Sequence, residues 1–478
     1  MRRTSLSNAV SHFVSPLQKQ PLATQPSPAR RAAFEILRRV ELEDSYASSL
    51  LGAMSEELRA DDRALCHELV LGVLRRRLWL DAALQHFATR RIESLDLPVR
   101  VALRIGLYQL RFLGRIPASA AVNESVNLVR AARVRSAAGF INAVLRRATR
   151  EPDYDPALDV ADPVEKLTIE TSHPQWLIQR WVDAFGFDEA VALARANNEA
   201  APVAFRLTTR ALNTQTDSDQ IIGELEAAGA QASRSRVAPD AWRVSSPGTA
   251  RDPERANAGT ILRRLLSEGL IYFQDEASQL VAHLLGVRAG DRVLDVSAAP
   301  GSKTTHIAAL QPQAMIVAGD LYEHRVRTLR DLAETQGADS IRLVVHDATL
   351  DLPFADALFD RVLVDAPCSG TGTLRHNPEI RWRLKPVDIA ELASKQKRIL
   401  ANAAAMVQPG GLILYSTCAA EPDEDEAVVR DFIKGHPNFG PARLAVSQDL
   451  LTDTGAIRTW PHRHDVDGFF IMAFRRRA

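Results

Sequence analysis

Two of the three cysteines in this 478-residue chain occupy positions where a thiol could react. Cys368 lies in DAPCSGTG and Cys418 in YSTC, each at the end of an apolar run that reads as a strand, FDRVLVD and GGLILYS. A free cysteine is usually a small buried hydrophobe. A thiol that closes a strand and enters a turn gains the partial exposure and polar surroundings that a nucleophilic thiolate needs. Asp365 precedes Cys368 by three residues and is placed to protonate, or hydrogen-bond to, whatever the thiolate attacks. Three cysteines are an odd count and too few for a disulfide framework.

A second concentration of chemistry lies upstream, in VLDVSAAPGSKTTHIAALQ from Val293 to Gln311. Val293, Leu294 and Val296 read as a buried strand, Ser297 to Gly301 as a turn, and Ser302 onward as a helix. A ligand of such a unit lies beyond the strand's carboxyl end, over the helix N-terminus, and Ala298, Ala299 and Gly301 are small enough to let it approach. With one glycine and Pro300, the turn matches neither G-x-G-x-x-G nor GxxxxGK[ST], which argues against a dinucleotide or a nucleoside triphosphate. Four predicted strands end in an aspartate or just before one, which aligns Asp295, Asp320, Asp347 and Asp365 along one sheet edge. There Asp320 could accept both hydroxyls of a ribose, and Asp347 an adenine amino group. One strand-end aspartate is commonly a helix cap, but four in register suit a cofactor with an amino-acid end, a ribose and an adenine, namely S-adenosylmethionine.

A sulfonium methyl donor beside a thiolate narrows the reaction. Carbon 5 of cytosine is too electron-poor to attack the methyl group, whereas thiolate addition at carbon 6 makes carbon 5 enamine-like. A base must then remove the carbon-5 proton so that the thiolate can leave.

Alternating strands and helices beyond Val287 predict a doubly wound, parallel α/β sheet of Rossmann-like type over 287–478. Residues 28–150 carry helical apolar stripes such as VALRIGLYQLRFL and read as an all-α domain. That segment holds 21 Arg and no Lys against 13 acidic residues, while 151–478 is net acidic, although the whole chain sums to zero. A basic module suits a nucleic-acid backbone. Its Arg75, Arg76 and Arg77, like Arg130, Arg133, Arg135, Arg146 and Arg147, read as solvated helix faces or as RNA contacts. Residues 1–27 read as a disordered tail, 151–164 as an acidic linker, and 165–286 as a small α+β module with its junction. Trp176 and Trp181 read as core. The stretch EPDEDEA after Cys418 is expected to be solvated and to open a helix whose first turn favours carboxylates, and LRHNPEIRWR, Leu374 to Arg383, to be either an RNA-contacting segment or a structural helix start. The terminal GFFIMAFRRR reads as a last strand. No apolar run reaches the ~18 residues of a membrane span and no signal-peptide pattern is evident, so the expected location is the cytoplasm.

Residues 28–150, through YQLRFLGRIPASAAVNESVNLVR and AAGFINAVLRR, resemble the NusB RNA-binding domain in the copy that is fused to bacterial rRNA methyltransferases. SAAPGSKT, DAPCSGTGTLRHNPEIRWR and YSTC resemble the signature motifs of the RNA cytosine-C5 methyltransferases, in the Sun (RsmB) branch of the Nop2/Sun group. The resemblance implies a small RNA-recognition-like module before the catalytic domain. It also implies Cys418 as nucleophile, Cys368 as an aid to adduct breakdown, Asp365 at the cytosine, and cofactor contacts from Ser297, Ala298, Ala299, Pro300, Gly301, Ser302, Lys303, Asp320, Asp347 and Asp365. By the same analogy Gly468 and Phe469 lie near the substrate. The family commonly shows CAAPGGKT, so Ser297 and Ser302 are departures, and Ser302 lacks glycine's φ > 0 freedom. Lys303 is expected to pair with a nearby aspartate rather than with the methionine carboxylate.

These readings converge on a monomeric, metal-free enzyme that methylates carbon 5 of a cytosine in small-subunit rRNA. The alternatives are the same chemistry on tRNA, and a non-catalytic RNA-binding antitermination or assembly factor.

Overall fold

The structure, a computed structural model, describes residues 25–43, 45–245 and 253–478, with the backbone alone for 253–257. The tail expected over 1–27 therefore lies, up to residue 24, outside the described residues.

The amphipathic stripes of the N-terminal region fold into helices Pro28–Leu42, Ala47–Ser55, Ala60–Arg75, Arg77–Phe87, Leu97–Phe112, Ala118–Ala131 and Ala138–Arg150. Proline in the first turn starts two of them, where its missing N–H is no loss. Leu97–Phe112 is central and apolar on most sides. Its buried Arg104 is held by Asp81, at 2.7 and 2.8 Å, and by Glu41, so the charge is paired. The acidic segment after Arg150 is not a free linker. Tyr154 stacks on His86 with centroids 3.9 Å apart and Trp79 donates to Asp155 at 3.0 Å, which straps the segment to the bundle, and its last residues already begin helix Pro163–Thr171.

Helices Pro163–Thr171, Gln175–Phe185 and Phe187–Ala196 then pack around the fully buried Trp181 together with Leu374, Ala420 and Trp460 of the last domain. A four-stranded antiparallel sheet follows, in the order β2-β3-β1-β4, from β1 (Val203–Leu207), β2 (Gln231–Arg234), β3 (Trp242–Ser245) and β4 (Ile271–Phe273).

The large sheet contains β5 (Arg292–Asp295), β6 (Met315–Asp320), β7 (Ile341–Val345), β8 (Phe359–Asp365), β9 (Val407–Thr417), β10 (Phe439–Pro441), β11 (Ile457–Arg458) and β12 (Phe470–Arg476). Its order is β10-β12-β9-β8-β5-β6-β7, with β11 paired to β12. The strands from β7 through β9 are parallel, and β10, β11 and β12 are antiparallel, so the sheet is mixed rather than wholly parallel. Apolar clusters cover both of its faces. The chain winds outward from β5 in both directions, through β6 and β7 on one side and β8 and β9 on the other. This makes the carboxyl ends of β5 and β8 a topological switch point, where ligands of such sheets bind.

The packing decides three expectations. EPDEDEA is not solvated as a whole, because Glu421, Glu424 and Asp425 are buried and bonded. Glu421 takes Trp181 Nε1 at 3.1 Å and Arg180 at 2.8 Å. In LRHNPEIRWR the helix start is what forms, at Ile380–Arg383; Arg375 and Arg381 are buried, and Trp382 donates to Leu74 O of the N-terminal bundle at 2.8 Å. Arg75 and Arg76 likewise bond across the joint, to Arg375 O at 2.8 Å and to Glu170 O at 3.1 Å.

Candidate active site

The turn after β5 ends at Gly301, whose φ of +111° is open to glycine and strained for other residues. A Cβ there would also lie 2.9 Å from Leu329 Cγ. Ser302 is the first residue of helix Ser302–Leu310 and needs no positive φ, so the departure at this position costs the turn nothing. Asp320, at the end of β6, takes the Ala299 N–H at 3.2 Å, and Arg325 donates to Ala299 O at 2.8 Å while lying 3.4 Å from Asp320. Asp347 follows β7 and is gripped by the hydroxyl and N–H of Thr349, which hold its carboxyl below the usual range. Asp295 is buried beneath the turn and accepts from Thr304 Oγ1 at 2.7 Å. The four aspartates thus share one sheet edge. The donor set fits S-adenosylmethionine, with two carboxylates on successive strand ends beside a turn of Ala298, Ala299, Pro300 and Gly301.

The cysteines meet across the ends of neighbouring strands. Cys368 Sγ lies 3.2 Å from Cys418 Sγ and 3.3 Å from the Cys418 N–H. The hydrogen bond to Cys418, burial, and the charges of Cys418 and Glu424 all push the Cys368 thiol well up, so it stays protonated. Asp365 accepts from Lys303 Nζ at 2.7 Å and from Ser416 Oγ at 2.8 Å. Burial pulls Lys303 down, but Asp365 outweighs it and the ammonium is held above its ordinary value, with the Phe469 ring 5.1 Å away. Lys303 therefore points to the aspartate.

The buried acidic residues after Cys418 hold both cysteine loops. Glu424 accepts from the Ser369 N–H at 2.9 Å and from Gln396 at 2.8 Å, which fixes the residue after Cys368. Asp425 accepts from Thr417 Oγ1 and from Arg458, the latter at 2.8 Å. Burial pushes the Asp425 carboxyl up to about 8 against the pull of Arg458. No composition signal separates these buried carboxylates from a solvated acidic run. Their place directly after a strand and a reactive cysteine was the clue available.

Sequence reasoning also missed Asp275, His376 and Asp467, whose donor atoms lie within 4.8 Å of one another. His376 Nδ1 bonds to Asp467 at 3.0 Å, and Asp275 takes the Asp467 N–H at 3.2 Å. Asp467 lifts His376 to about 9. The trio edges a cavity of about 600 Å³ between the small sheet and the catalytic loops, walled also by Tyr272, Ser302 and Phe469.

Comparison with known proteins places these features. The model of the 16S rRNA methyltransferase RsmB/F family matches residues 282–475, that of the NusB family 27–150, and that of the RsmF/B-like ferredoxin-like domain 173–251. The probable ribosomal RNA small subunit methyltransferase B of Bacillus subtilis is 34% identical over 464 residues, covering 94% of this chain and 99% of the relative. The chain belongs to the RsmB family of small-subunit rRNA methyltransferases. The Sodalis glossinidius ribosomal RNA small subunit methyltransferase B is similar at 32% identity, over 92% of this chain and 95% of its own. The crystal structure of PH0851 superposes with a TM-score of 0.79 at 26% identity, over 96% of this chain and all of that one. NSun6 from Pyrococcus horikoshii, determined with SFG, shares the fold at a TM-score of 0.54 and 21% identity, over 63% of this chain and 98% of its own. As an RsmB-family member the protein is a SAM-dependent rRNA methyltransferase. Among the described residues no helix is long and apolar enough to cross a membrane.

Proposed function

We propose that the enzyme methylates carbon 5 of a cytosine in 16S rRNA through a covalent bond between Cys418 Sγ and carbon 6. The observation that carries this reading is the pair of thiols 3.2 Å apart beside the Lys303–Asp365 pair, at the edge that also bears the cofactor carboxylates. The cytosine must be unpaired or flipped, because the thiolate approaches from above the ring. Cys418 adds to carbon 6 while N3 takes up a proton relayed through Asp365 from the Lys303 ammonium 2.7 Å away, and the Asp365 carboxylate then accepts from the N3–H and the amino group. S-adenosylmethionine supplies the methyl group. Asp320 and Asp347 would hold its ribose and adenine, and residues Ser297 to Lys303 would line its methionine end. A base takes the carbon-5 proton, the C–H electron pair re-forms the C5–C6 double bond, and the S–C6 pair leaves on the Cys418 sulfur. Cys368, kept as a thiol, donates its hydrogen bond to the departing Cys418 sulfur.

The proposed enzyme is a monomer and its scheme uses no metal. In this reading residues 28–150, 165–286 and 287–478 are an RNA-binding, a smaller RNA-binding and a catalytic unit, and the substrate places the work in the cytoplasm.

The test is to incubate wild type, Cys418→Ala and Cys368→Ala with SAM and protein-free small-subunit rRNA, reading product by bisulfite sequencing and adducts on denaturing gels. Cys418→Ala should lower methylation by about 10⁴-fold or more, as loss of a nucleophile does. Cys368→Ala should accumulate protein–RNA adduct. Methylation that survives in Cys418→Ala would overturn the mechanism, and modification of tRNA alone would overturn the substrate.

A further inference from the structure

The N-terminal bundle reaches the active site with one aromatic side chain. Tyr46 sits at the N-terminus of helix Ala47–Ser55, is 53% exposed, and lines a cavity of about 420 Å³ together with Cys368, Ser369, Ile380, Leu384 and Lys395. An aromatic ring left half in water beside a reactive cysteine calls for an occupant. Its backbone is clamped on both sides by the segment that follows the cysteine loop: Arg383 donates to Ser45 O, and the Ala47 N–H donates to Glu379 Oε1 at 2.8 Å. The Arg383 guanidinium lies over the ring, 5.5 Å from its centroid. Burial raises the Tyr46 hydroxyl, Arg383 opposes this, and Cys418, Glu379 and Cys368 add to the rise. Arg383 and Lys395 bring two cations to the same cavity, which also holds the carboxylates of Asp388 and Glu391, and the Lys395 charge bears on Asp347 at the cofactor edge.

An exposed ring held from behind, apolar walls from Ile380 and Leu384, and a nearby cation form the kind of site that takes one unpaired nucleotide, base on ring and phosphate toward the cation. We propose that Tyr46 is the stacking platform for the RNA nucleotide that flanks the target cytosine. The bundle is then part of the substrate site and not only an RNA-docking module. This inference rests on the RNA-methylation reading above. In it Tyr46 is a positioning residue that holds the strand while the neighbouring base reaches Cys418.

The experiment compares wild type with Tyr46→Ala, Tyr46→Phe and Tyr46→Trp in the full chain. It measures KM and kcat for protein-free small-subunit rRNA, equilibrium affinity for the same RNA, affinity for SAM, and thermal midpoint. Loss of one base–aromatic stack predicts a rise in RNA KM and Kd of roughly ten- to a hundredfold for Tyr46→Ala, with kcat at saturating RNA and SAM affinity nearly unchanged. Phe and Trp should stay near wild type, because the ring and not the hydroxyl is used. An unchanged RNA Kd in Tyr46→Ala overturns the proposal. Failure of Phe and Trp to rescue overturns it in favour of a role for the hydroxyl, and weakened SAM binding overturns it in favour of a cofactor cavity. Failure of the parent reading shows separately, as wild-type protein that transfers no methyl group to the RNA, and the RNA Kd of the variants still decides the stacking role.

Discussion

The turn after β5 and the loop after β8 both follow a strand that ends in aspartate, yet they are built in opposite ways. The first is closed locally: Asp320, Arg325 and Leu329, which hold or abut it, all belong to the next strand and helix. The second, between Asp365 and Pro386, is held from far along the chain. Fully buried Arg381 donates to Thr171 O at 3.3 Å, Ser172 O at 3.2 Å and Asn198 at 3.0 Å, Arg375 to Ala200 O at 2.9 Å, and Trp382 to the bundle at Leu74 O. The cofactor end of the site is thus held mainly by β5, β6 and the helices that follow them, with Arg206 of β1 reaching Ser302 O at 3.1 Å, whereas the cysteine end is held by three docked regions. Under the proposed function, the cofactor is then held mostly by parts of the methyltransferase domain, and the choice of RNA is left to the assembly.

The sharpest way to break this contrast is at Gly372. Its N–H donates to Cys418 O at 2.9 Å, its carbonyl takes the Gly468 N–H at 2.8 Å, and a Cβ would stand 2.1 Å from Gly468 O and 2.9 Å from Cys418 O. The backbone must therefore move, and Cys418 with it. Gly372→Ala should lower kcat by about a hundredfold, the scale of a misplaced reacting group, while SAM affinity measured by calorimetry stays within a factor of two or so. Equal losses in both would mean that the two ends are one unit.

The opposite substitution is Asp320→Asn. It keeps the shape and removes the charge that would accept the ribose hydroxyls, a difference of about 1.5 kcal/mol or roughly tenfold in SAM Kd for a hydrogen bond to a charged group. Saturating SAM should restore kcat, and rRNA affinity should not move. A parallel loss of RNA binding would show that the local end also supports the assembled one.

The same contrast explains what could be read from the chain. The turn, the four strand-end aspartates and both cysteines were legible because strand period and turn residues are local signals. The pairing of Lys303 with Asp365 was also within reach, since Lys303 opens the helix after β5 and Asp365 ends the neighbouring β8. Glu421, Glu424 and Asp425 read as solvated because nothing local distinguishes a carboxylate that faces Trp181, Ser369 and Thr417 from one that faces water. Arg381 and Trp382 looked able to touch RNA for the same reason, their partners lying 210 and 308 residues away. Tyr46 carried no motif at all. Its place depends on how the bundle docks, which no periodicity records.

A smaller effect separates the two ends by pH. Asp295 lies beneath the local turn, with Thr304 on one oxygen and no partner on Oδ1 among the described residues. Burial first, and the charge of Asp365 next, push its carboxyl up to about 7 against Thr304 and Lys303. In the unfolded chain an aspartate titrates near ~3.9, so between about pH 4 and 7 the folded state holds a proton that the unfolded state has released. The stability from this group is therefore present below pH 4 and is lost as pH rises through 7. Asp295→Asn keeps an acceptor for Thr304 and cannot ionise. Its unfolding free energy in urea should fall less steeply than wild type over that window, with the two curves converging in slope below about pH 4. Because Asp295 belongs to the local end, the Cys418–RNA adduct yield should be unaltered at pH 6. An equally steep stability curve in the variant would move the titration elsewhere, with Asp425, at the assembled end and raised to about 8, next to be substituted.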